Sequence, residues 1–252
     1  MKEFIEQISR ESMTLALEYY HQGFTVANKT SLLDLVTNAD VAVSEFLVKA
    51  IQTKFPDHHI HSEEMAIDVN PGAEYEWVID PIDGTWNFAN HIPLWGSLIA
   101  FLHNGETKYA AAYFPIDDWF YWAEKGQGAF CNNKVIHVSD RSELDSSVGT
   151  VSASAKNNQG EEISLLWKKL YDQKSRMRNH GCMYSAVLVA GGALDYFITN
   201  IGKDHDYLVP DLLAREAGGL VTNTLGENWQ RGMEDIVIAN PAIHGKLLKL
   251  FV

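Results

Sequence analysis

Apolar residues recur at helical spacing in two segments near the start of the chain. The first covers residues 1–22, where the apolar positions form a rough face and Gly23 is typical of a helix end. The second runs from about Ala39 to Phe55 and is closed by Pro56. We therefore predict two helices. Asp40 falls in the first turn of the second helix, where an acidic side chain interacts favourably with the helix dipole.

Apolar runs farther along the chain predict strands that alternate with helices. Gly96–His103 and Lys108–Phe114 flank Asn104-Gly105, a dipeptide typical of a hairpin turn. The other predicted strands are Trp119–Ala123, Lys134–Val138, Val148–Ser154, Leu194–Thr199, Leu220–Thr222 and Ile236–Ile238, with turns around Gly126-Gln-Gly128 and Asn132-Asn133. The other predicted helices are Glu161–Tyr171, Ser185–Ala193, Pro210–Ala217 and a last helix from Pro241 to about Leu250. This alternation predicts an α/β or α+β fold.

The domain organisation follows from chain length and one polar stretch. A chain of 252 residues can form one large domain or two closely packed subdomains. The polar segment Ser139–Ser147 is the predicted boundary between them. We expect an N-terminal α+β subdomain over residues 1–142 and a C-terminal α/β subdomain over residues 143–252.

The stretch from Trp77 to Phe88 carries the densest candidate chemistry. An apolar strand is expected to end at Asp80-Pro81, because proline removes a backbone donor. Asp83-Gly84-Thr85 then predicts a tight turn, with Asp83 or Thr85 able to cap a following helix. Two carboxylates at a strand end can converge on one point, repel each other without a cation, and suit Mg²⁺ as ligands. The amides that follow could hold an anion at a helix start.

An alternative interpretation is that Asp-Pro and Asp-Gly are ordinary turn dipeptides. Another alternative uses the segment His58-His59-Ile60-His61, which could contribute zinc ligands, although no third nitrogen or sulfur ligand follows at suitable spacing.

Composition restricts the class of protein. The chain is 46% hydrophobic and 21% charged, as expected for a globular protein, and its start lacks the apolar core of a signal peptide. We expect a cytoplasmic protein with reduced thiols at Cys131 and Cys182 and no membrane association. A net charge of −13 argues against nucleic-acid binding through a basic surface. It suits an enzyme of anionic substrates only where part of the acidic charge is held against metal ions.

Four motifs in order resemble those of the inositol monophosphatase family of Mg²⁺-dependent phosphatases. The central motif is Asp80-Pro-Ile-Asp83-Gly-Thr85-x-Asn87-Phe88. The others are Asp34-Leu-Val-Thr37-x-x-Asp40, Ser62-Glu63-Glu64, and Asp206 followed ten residues later by Glu216-Ala-Gly-Gly219. The resemblance implies a layered α-β-α-β-α sandwich, a homodimer, and two or three Mg²⁺ ions at a site that hydrolyses a small phosphomonoester by an activated water.

The resemblance also implies roles for individual residues. It implies metal ligation by Glu63, Asp80, the Ile82 carbonyl, Asp83 and Asp206. It implies that Asp40, Glu63 and Thr85 act in catalysis, with Thr85 hydrogen-bonded to Asp40 and positioning the attacking water. It implies substrate contacts from Gly84, Thr85, Thr199 and Asp206, with the Gly84 and Thr85 amides on the phosphate.

Several positions depart from the family pattern. His205-Asp206 stands where Trp-Asp is usual, Asp204 is a competing ligand, and Ser62 stands where glycine is usual. Thr199 occupies the place of a glutamate that contacts inositol hydroxyls, and Gly181-Cys-Met-Tyr184 replaces Gly-Ser-Ala-Ala. We therefore expect a sugar, nucleotide or amino-alcohol phosphate rather than inositol phosphate itself. The alternative function is a catalytically weak protein that binds phosphorylated metabolites on the same fold.

Overall fold

The computed structural model describes residues 1–31, 34–153 and 159–251. Its helices are α1 (Lys2–Gln22), α2 (Asn38–Lys54), α3 (Thr85–Ala89), α4 (Gln159–Asp172), α5 (Tyr184–Ala190), α6 (Asp204–Glu216) and α7 (Pro241–Leu248). Its strands are β1 (Val26–Asn28), β2 (Leu35–Thr37), β3 (His59–Ser62), β4 (Tyr75–Asp83), β5 (Gly96–His103), β6 (Glu106–Phe114), β7 (Trp119–Glu124), β8 (Gly128–Cys131), β9 (Lys134–Ile136), β10 (Val148–Ser152), β11 (Arg176–Met177), β12 (Tyr196–Thr199), β13 (Leu220–Thr222) and β14 (Ile236–Ala239). In the part of the chain that the structure describes, no helix has the length and hydropathy that a membrane crossing requires.

The strands form two large mixed sheets and a short ribbon. The seven-stranded sheet has the order β3-β4-β5-β6-β7-β8-β9, with β3 parallel to β4 and the remaining pairs antiparallel. The five-stranded sheet has the order β11-β10-β12-β14-β13, with β10 parallel to both of its neighbours. β1 and β2 pair antiparallel. The first large sheet precedes the polar stretch Ser139–Ser147 and the second follows it, and the division into two subdomains stays a prediction.

The helices lie in three layers around the two sheets. α1 and α2 pack against each other and on one face of the seven-stranded sheet, and they bury Ile5, Val43 and Trp77 there. α6 contacts both sheets, and α5 contacts the five-stranded sheet and packs Tyr184 against Phe114 of the seven-stranded sheet, so the two helices fill the space between the sheets. α4 and α7 cover the outer face of the five-stranded sheet, where Ile163 and Leu247 are buried. This order of layers confirms the predicted α-β-α-β-α sandwich.

Strand β4 continues past the point where the sequence suggested that it ends. Its pairing with β5 matches Asp80 to Leu98 and Asp83 to Gly96, so that Pro81 and Ile82 lie in a register shift. A proline is compatible with a central strand at such a bulge, because the ladder does not need its missing N–H there. The bulge therefore places two aspartates at the end of one strand.

Helix α6 begins earlier than expected. The prediction placed Pro210 at the first helical position, whereas it lies inside a helix that starts at Asp204. Lys203 N donates to Asp206 Oδ2 at 2.6 Å, which caps the first turn and stabilises this earlier start. Two smaller differences concern strands. Gly128–Cys131 is a strand rather than a turn, and the strand from Val148 ends at Ser152, with Ser154 outside the described residues.

Candidate metal centre and active site

Three carboxylates from two distant segments meet at the edge of the seven-stranded sheet. Asp80 and Asp83 flank the bulge of β4, and Asp206 lies in the first turn of α6. One side-chain oxygen of each lies within 4.8 Å of the others. Asp80 and Asp83 are 3% and 4% exposed, and Asp206 is half-buried. Among the described residues this is the group of side chains arranged as metal ligands, and it contains Asp206 rather than Asp204.

The charge of this cluster is not balanced by its protein neighbours. Asp80 Oδ1 is buried without a hydrogen-bond partner. Burial, and then the charges of Glu63 and Asp83, raise the pKa of Asp80 well above its usual range. Burial raises the pKa of Asp83 to about 8, and burial also raises the pKa of Asp206. An oxygen-only donor set with an orphaned, buried carboxylate oxygen fits a hard divalent cation such as Mg²⁺.

Glu63 and Ile82 line the same cavity of about 290 Å³ as the three aspartates. Glu63 follows β3, and its Oε1 lies 2.8 Å from the ammonium of Lys29, which also lies 2.5 Å from Glu64 Oε1. These two carboxylates raise the pKa of Lys29 against the opposing effect of its own burial. Lys29 is not among the site residues predicted from the sequence, because a single lysine in a polar segment carries no pattern that assigns it a partner.

Thr85 and Asp40 lie in direct contact. Thr85 Oγ1 is 3.0 Å from Asp40 Oδ1 and 3.2 Å from the Ile82 carbonyl, and its one proton can be donated to either. Asp40 Oδ2 accepts hydrogen bonds from the Thr37 amide at 2.8 Å and from the Thr37 hydroxyl at 2.5 Å. This is a capping box, so Asp40 both begins α2 and faces Thr85. Burial raises the pKa of Asp40 despite these hydrogen bonds.

Gly84 forms a tight junction between β4 and α3. It adopts a left-handed conformation with φ of 88°, and a Cβ there would lie 3.0 Å from Cys182 Cβ and 3.1 Å from the Leu94 carbonyl. α3 has no side-chain cap, so the expectation that Asp83 or Thr85 caps it is wrong. Both side chains are engaged elsewhere, since Thr85 faces Asp40 and Asp83 accepts from the Met183 amide.

The segment from His180 to Met183 closes the site from the C-terminal half of the chain. The Met183 amide donates to both carboxylate oxygens of Asp83, at 2.9 and 3.1 Å. Asn87 Nδ2 lies 2.7 Å from both the His180 and the Leu94 carbonyl oxygens. The role of the Met183 amide was not predicted from the sequence, because a backbone donor leaves no signal there.

The histidines do not form a zinc site in the described part of the chain. His59 Nε2 and His61 Nδ1 lie 2.8 and 2.9 Å from the two oxygens of Asp68, and no histidine belongs to the ligand cluster. His205 is buried, its Nε2 lies 3.5 Å from Asp206 Oδ2, and its ring stacks with that of His61 at 6.2 Å between centroids. His205 therefore packs beside the cluster.

Thr199 lies outside the acidic cavity. It is 1% exposed and lines a neighbouring cavity of about 470 Å³. The two cavities share Gly181, Cys182, Met183 and Ile201 in their walls. The structure thus places a strongly acidic cavity beside a second cavity of different chemistry.

Comparison with known proteins gives a consistent result. A profile of the inositol monophosphatase family matches residues 1–252. An inositol monophosphatase from Dictyostelium discoideum is 33% identical over 251 residues, which is 97% of this chain and 92% of that protein. A putative Nus factor SuhB from Neisseria meningitidis is 33% identical over 219 residues, 86% of this chain and 84% of that protein. The solved structure of the extragenic suppressor protein suhB from Bartonella henselae has a TM-score of 0.93 at 25% identity, covering 99% of this chain and 97% of that one.

Proposed function

The chain belongs to the inositol monophosphatase family, and on this premise we propose that it is a Mg²⁺-dependent phosphatase that hydrolyses a small phosphomonoester. The observation that carries the proposal is the buried aspartate cluster beside the Thr85–Asp40 pair. A carboxylate cluster without a cation is unfavourable, whereas one that holds divalent ions next to a hydroxyl–carboxylate pair has the parts that phosphoryl transfer to water requires.

The ligand assignment follows the cavity and the family resemblance. Asp80, Asp83 and Asp206 would hold one Mg²⁺, and Glu63, Asp80 and the Ile82 carbonyl a second, whereas the family resemblance implies two or three ions. When bound, these ions would neutralise the phosphate and make water a better nucleophile. The Met183 amide fixes the orientation of Asp83, so the C-terminal segment positions a ligand without itself binding metal.

The remaining chemistry belongs to side chains and amides of this chain. Asp40 is held by Thr37 and accepts from Thr85, so that together they can orient an attacking water and take its proton. The Gly84 and Thr85 amides would bind the phosphate, and Asp206 and Thr199 would contact the substrate. The reaction is a direct displacement by water, with no phosphorylated enzyme.

The test is release of inorganic phosphate from a panel of sugar, nucleotide, amino-alcohol and inositol phosphates in Mg²⁺. We expect turnover that is lost with a chelator and restored by added Mg²⁺. We also expect another phosphomonoester to exceed myo-inositol 1-phosphate in kcat/KM by about tenfold, because Thr199 cannot supply a charged acceptor for ring hydroxyls. Absence of Mg²⁺-dependent turnover across the panel would overturn the proposal.

A second candidate function is a weakly catalytic protein that binds phosphorylated metabolites. The observation in its favour is the name of the Neisseria meningitidis relative, which describes a factor rather than an enzyme. Binding of panel members in Mg²⁺ without phosphate release would support this function. The homodimer implied by the family resemblance stays a prediction.

A further inference from the structure

The cavity beside the acidic cluster differs from it in charge. None of its described lining side chains is formally charged, and its walls combine polar side chains with six apolar ones: Val151, Ala153, Trp167, Met183, Phe197 and Ile201. The acidic cavity next to it is lined by five carboxylates, from Asp34, Glu63, Asp80, Asp83 and Asp206. A phosphomonoester has the same division between a charged phosphate and an alcohol that can be neutral.

The two cavities are in direct contact along the Gly181–Met183 segment and Ile201, which line both. The Met183 amide that binds Asp83 lies in this shared wall. A third cavity also adjoins the acidic one, and Glu63 lines both and is paired there with Lys29. An ion pair thus occupies that junction, so the cavity whose described side chains carry no charge is the better place for a neutral leaving group.

Most of the polar side chains in the wall of this cavity already form hydrogen bonds within the protein. Thr150 Oγ1 donates to the Arg178 carbonyl at 2.5 Å, and Asn179 Nδ2 donates to Ser152 Oγ at 3.1 Å. Asn179 Oδ1 accepts from the Gly181 amide at 2.9 Å, and Thr199 Oγ1 accepts from the Ile201 amide at 3.3 Å. A polyol placed here would meet only the donor and acceptor positions that these groups have left over, and would lose hydrogen bonds to water against the apolar side chains, which disfavours it.

The aromatic and thioether side chains of this cavity favour binding of a flat aromatic ring. Trp167, on α4, lines the cavity and remains 41% exposed, so part of its indole is free to contact a ligand. Phe197 contributes a second aromatic side chain and Met183 a thioether, and both groups pack favourably against aromatic rings. A volume of about 470 Å³ is within the ordinary range for small-molecule pockets.

We propose that the leaving group of the substrate is an uncharged alcohol carrying an aromatic ring, which binds in this cavity against Trp167. This inference rests on the proposed phosphatase function and names its substrate class. It distinguishes the protein from a phosphatase of polyols, because the wall that meets the alcohol combines aromatic and aliphatic side chains with polar groups that already carry hydrogen bonds within the protein.

The experiment compares benzyl phosphate with glycerol 3-phosphate, both esters of primary alcohols, by kcat/KM in Mg²⁺. We expect a preference for benzyl phosphate of about tenfold. Trp167→Ala should lower the ratio of the two kcat/KM values by about fivefold, corresponding to about 1 kcal/mol of ring contact. Trp167→Phe should retain most of the ratio, because it keeps an aromatic ring.

The matched control is Tyr171→Ala, which removes an aromatic side chain that is 75% exposed on the same helix and outside the cavity wall. It should leave both kcat/KM values unchanged. A preference for glycerol 3-phosphate, or an equal loss on both substrates in Trp167→Ala, would overturn the inference. A cyclohexylmethyl phosphate that equals benzyl phosphate would overturn the aromatic requirement.

The two proposals can fail separately. If no member of the phosphate panel and neither of these esters is hydrolysed, the phosphatase function fails, and calorimetry of the two esters in Mg²⁺ then tests the cavity by binding. If a panel member is hydrolysed and benzyl phosphate is not, the phosphatase function stands and the aromatic leaving group is overturned. Tighter binding of benzyl phosphate, weakened in Trp167→Ala, would support the aromatic cavity. Equal affinities would overturn it.

Discussion

Strand β4 carries two buried carboxylates, Glu76 and Asp80, that differ in whether the protein supplies a partner for their charge. Glu76, 7% exposed, is held by two hydrogen bonds from Arg231 at 2.7 and 2.8 Å, and Arg231 also pairs with Asp204 at 2.6 Å. Asp80 lies four residues later on the same strand, 3% exposed, and one of its oxygens has no partner. The contrast separates a carboxylate whose charge is balanced within the fold from one that requires an ion from solution.

The physical reason for the difference lies in the neighbours. Strand geometry places Glu76, Val78 and Asp80 on one face, towards α6. Arg231 pairs with Glu76. Asp80 instead lies next to Asp83 and Asp206, which add further negative charge. A buried charge that stabilises a fold has to be paired, so an unpaired one points to ligand binding.

The strongest test of this contrast neutralises one carboxylate of the cluster. Asp83→Asn should lower turnover by orders of magnitude in saturating Mg²⁺, because it removes charge from the ligand set while the bulge remains intact. Circular dichroism should show an unchanged fold. The matched control is Glu76→Gln on the same strand, for which we expect turnover close to that of the wild type. Near wild-type turnover in Asp83→Asn would contradict its role as a ligand.

The second prediction concerns the pair that handles water. Thr85→Ala and Asp40→Asn should each reduce kcat by about 10²- to 10⁴-fold, as expected for loss of a positioned base. Because the two side chains are in contact at 3.0 Å, the double variant should lose little more than the worse single variant. Strictly multiplicative losses in kcat would show that the two residues act independently.

The third prediction concerns the pH dependence of the melting temperature, which should reflect the uncompensated charge of the aspartate cluster. The cluster carboxyls have a higher pKa in the folded protein than in the unfolded chain, with Asp83 at about 8 because of burial. Such groups stabilise the fold at low pH, and this contribution is lost as the pH rises through the folded-state pKa. The melting temperature of protein treated with a chelator should therefore fall as the pH rises from about 4 to about 8.

Added Mg²⁺ should raise that melting temperature most at the upper end of the range, because the ion then competes with few protons. Asp83→Asn should flatten the pH dependence measured without metal. A melting temperature that is constant over this range, or that rises with pH, would contradict an uncompensated cluster.

The fourth and smallest predicted effect concerns the ion pair between Glu76 and Arg231. Arg231→Met leaves Glu76 buried without its partner and should lower the free energy of unfolding by about 2 kcal/mol, less than for a fully buried pair because Arg231 is 35% exposed. The double variant Glu76→Met/Arg231→Met should recover part of the loss in urea denaturation, since the buried Glu76 charge is then removed and only the more exposed Asp204 has lost its partner. A double variant less stable than Arg231→Met would show that the ion pair itself stabilises the fold.

The sequence by itself determined the local elements and the identity of the candidate ligands. The apolar periodicity of residues 1–22 and the Asn104-Gly105 turn specify α1 and the β5–β6 hairpin, because their determinants lie within the elements. The motif around Asp80 and Asp83 likewise indicated an acidic strand end. These features need only information from neighbouring residues.

The tertiary structure decided what depends on distant partners. Pro81 ended a strand in the sequence analysis, yet pairing with β5 carries β4 through a bulge to Asp83. Asp204 and Asp206 were both candidate metal ligands in the sequence. In the structure Asp204 pairs with Arg231, and Asp206 belongs to the aspartate cluster. Distant partners also explain the contact of the Met183 amide with Asp83, the contact of Lys29 with Glu63, and the cavity beside Trp167. Which charge is paired, and by what, is set by packing between segments far apart in the chain.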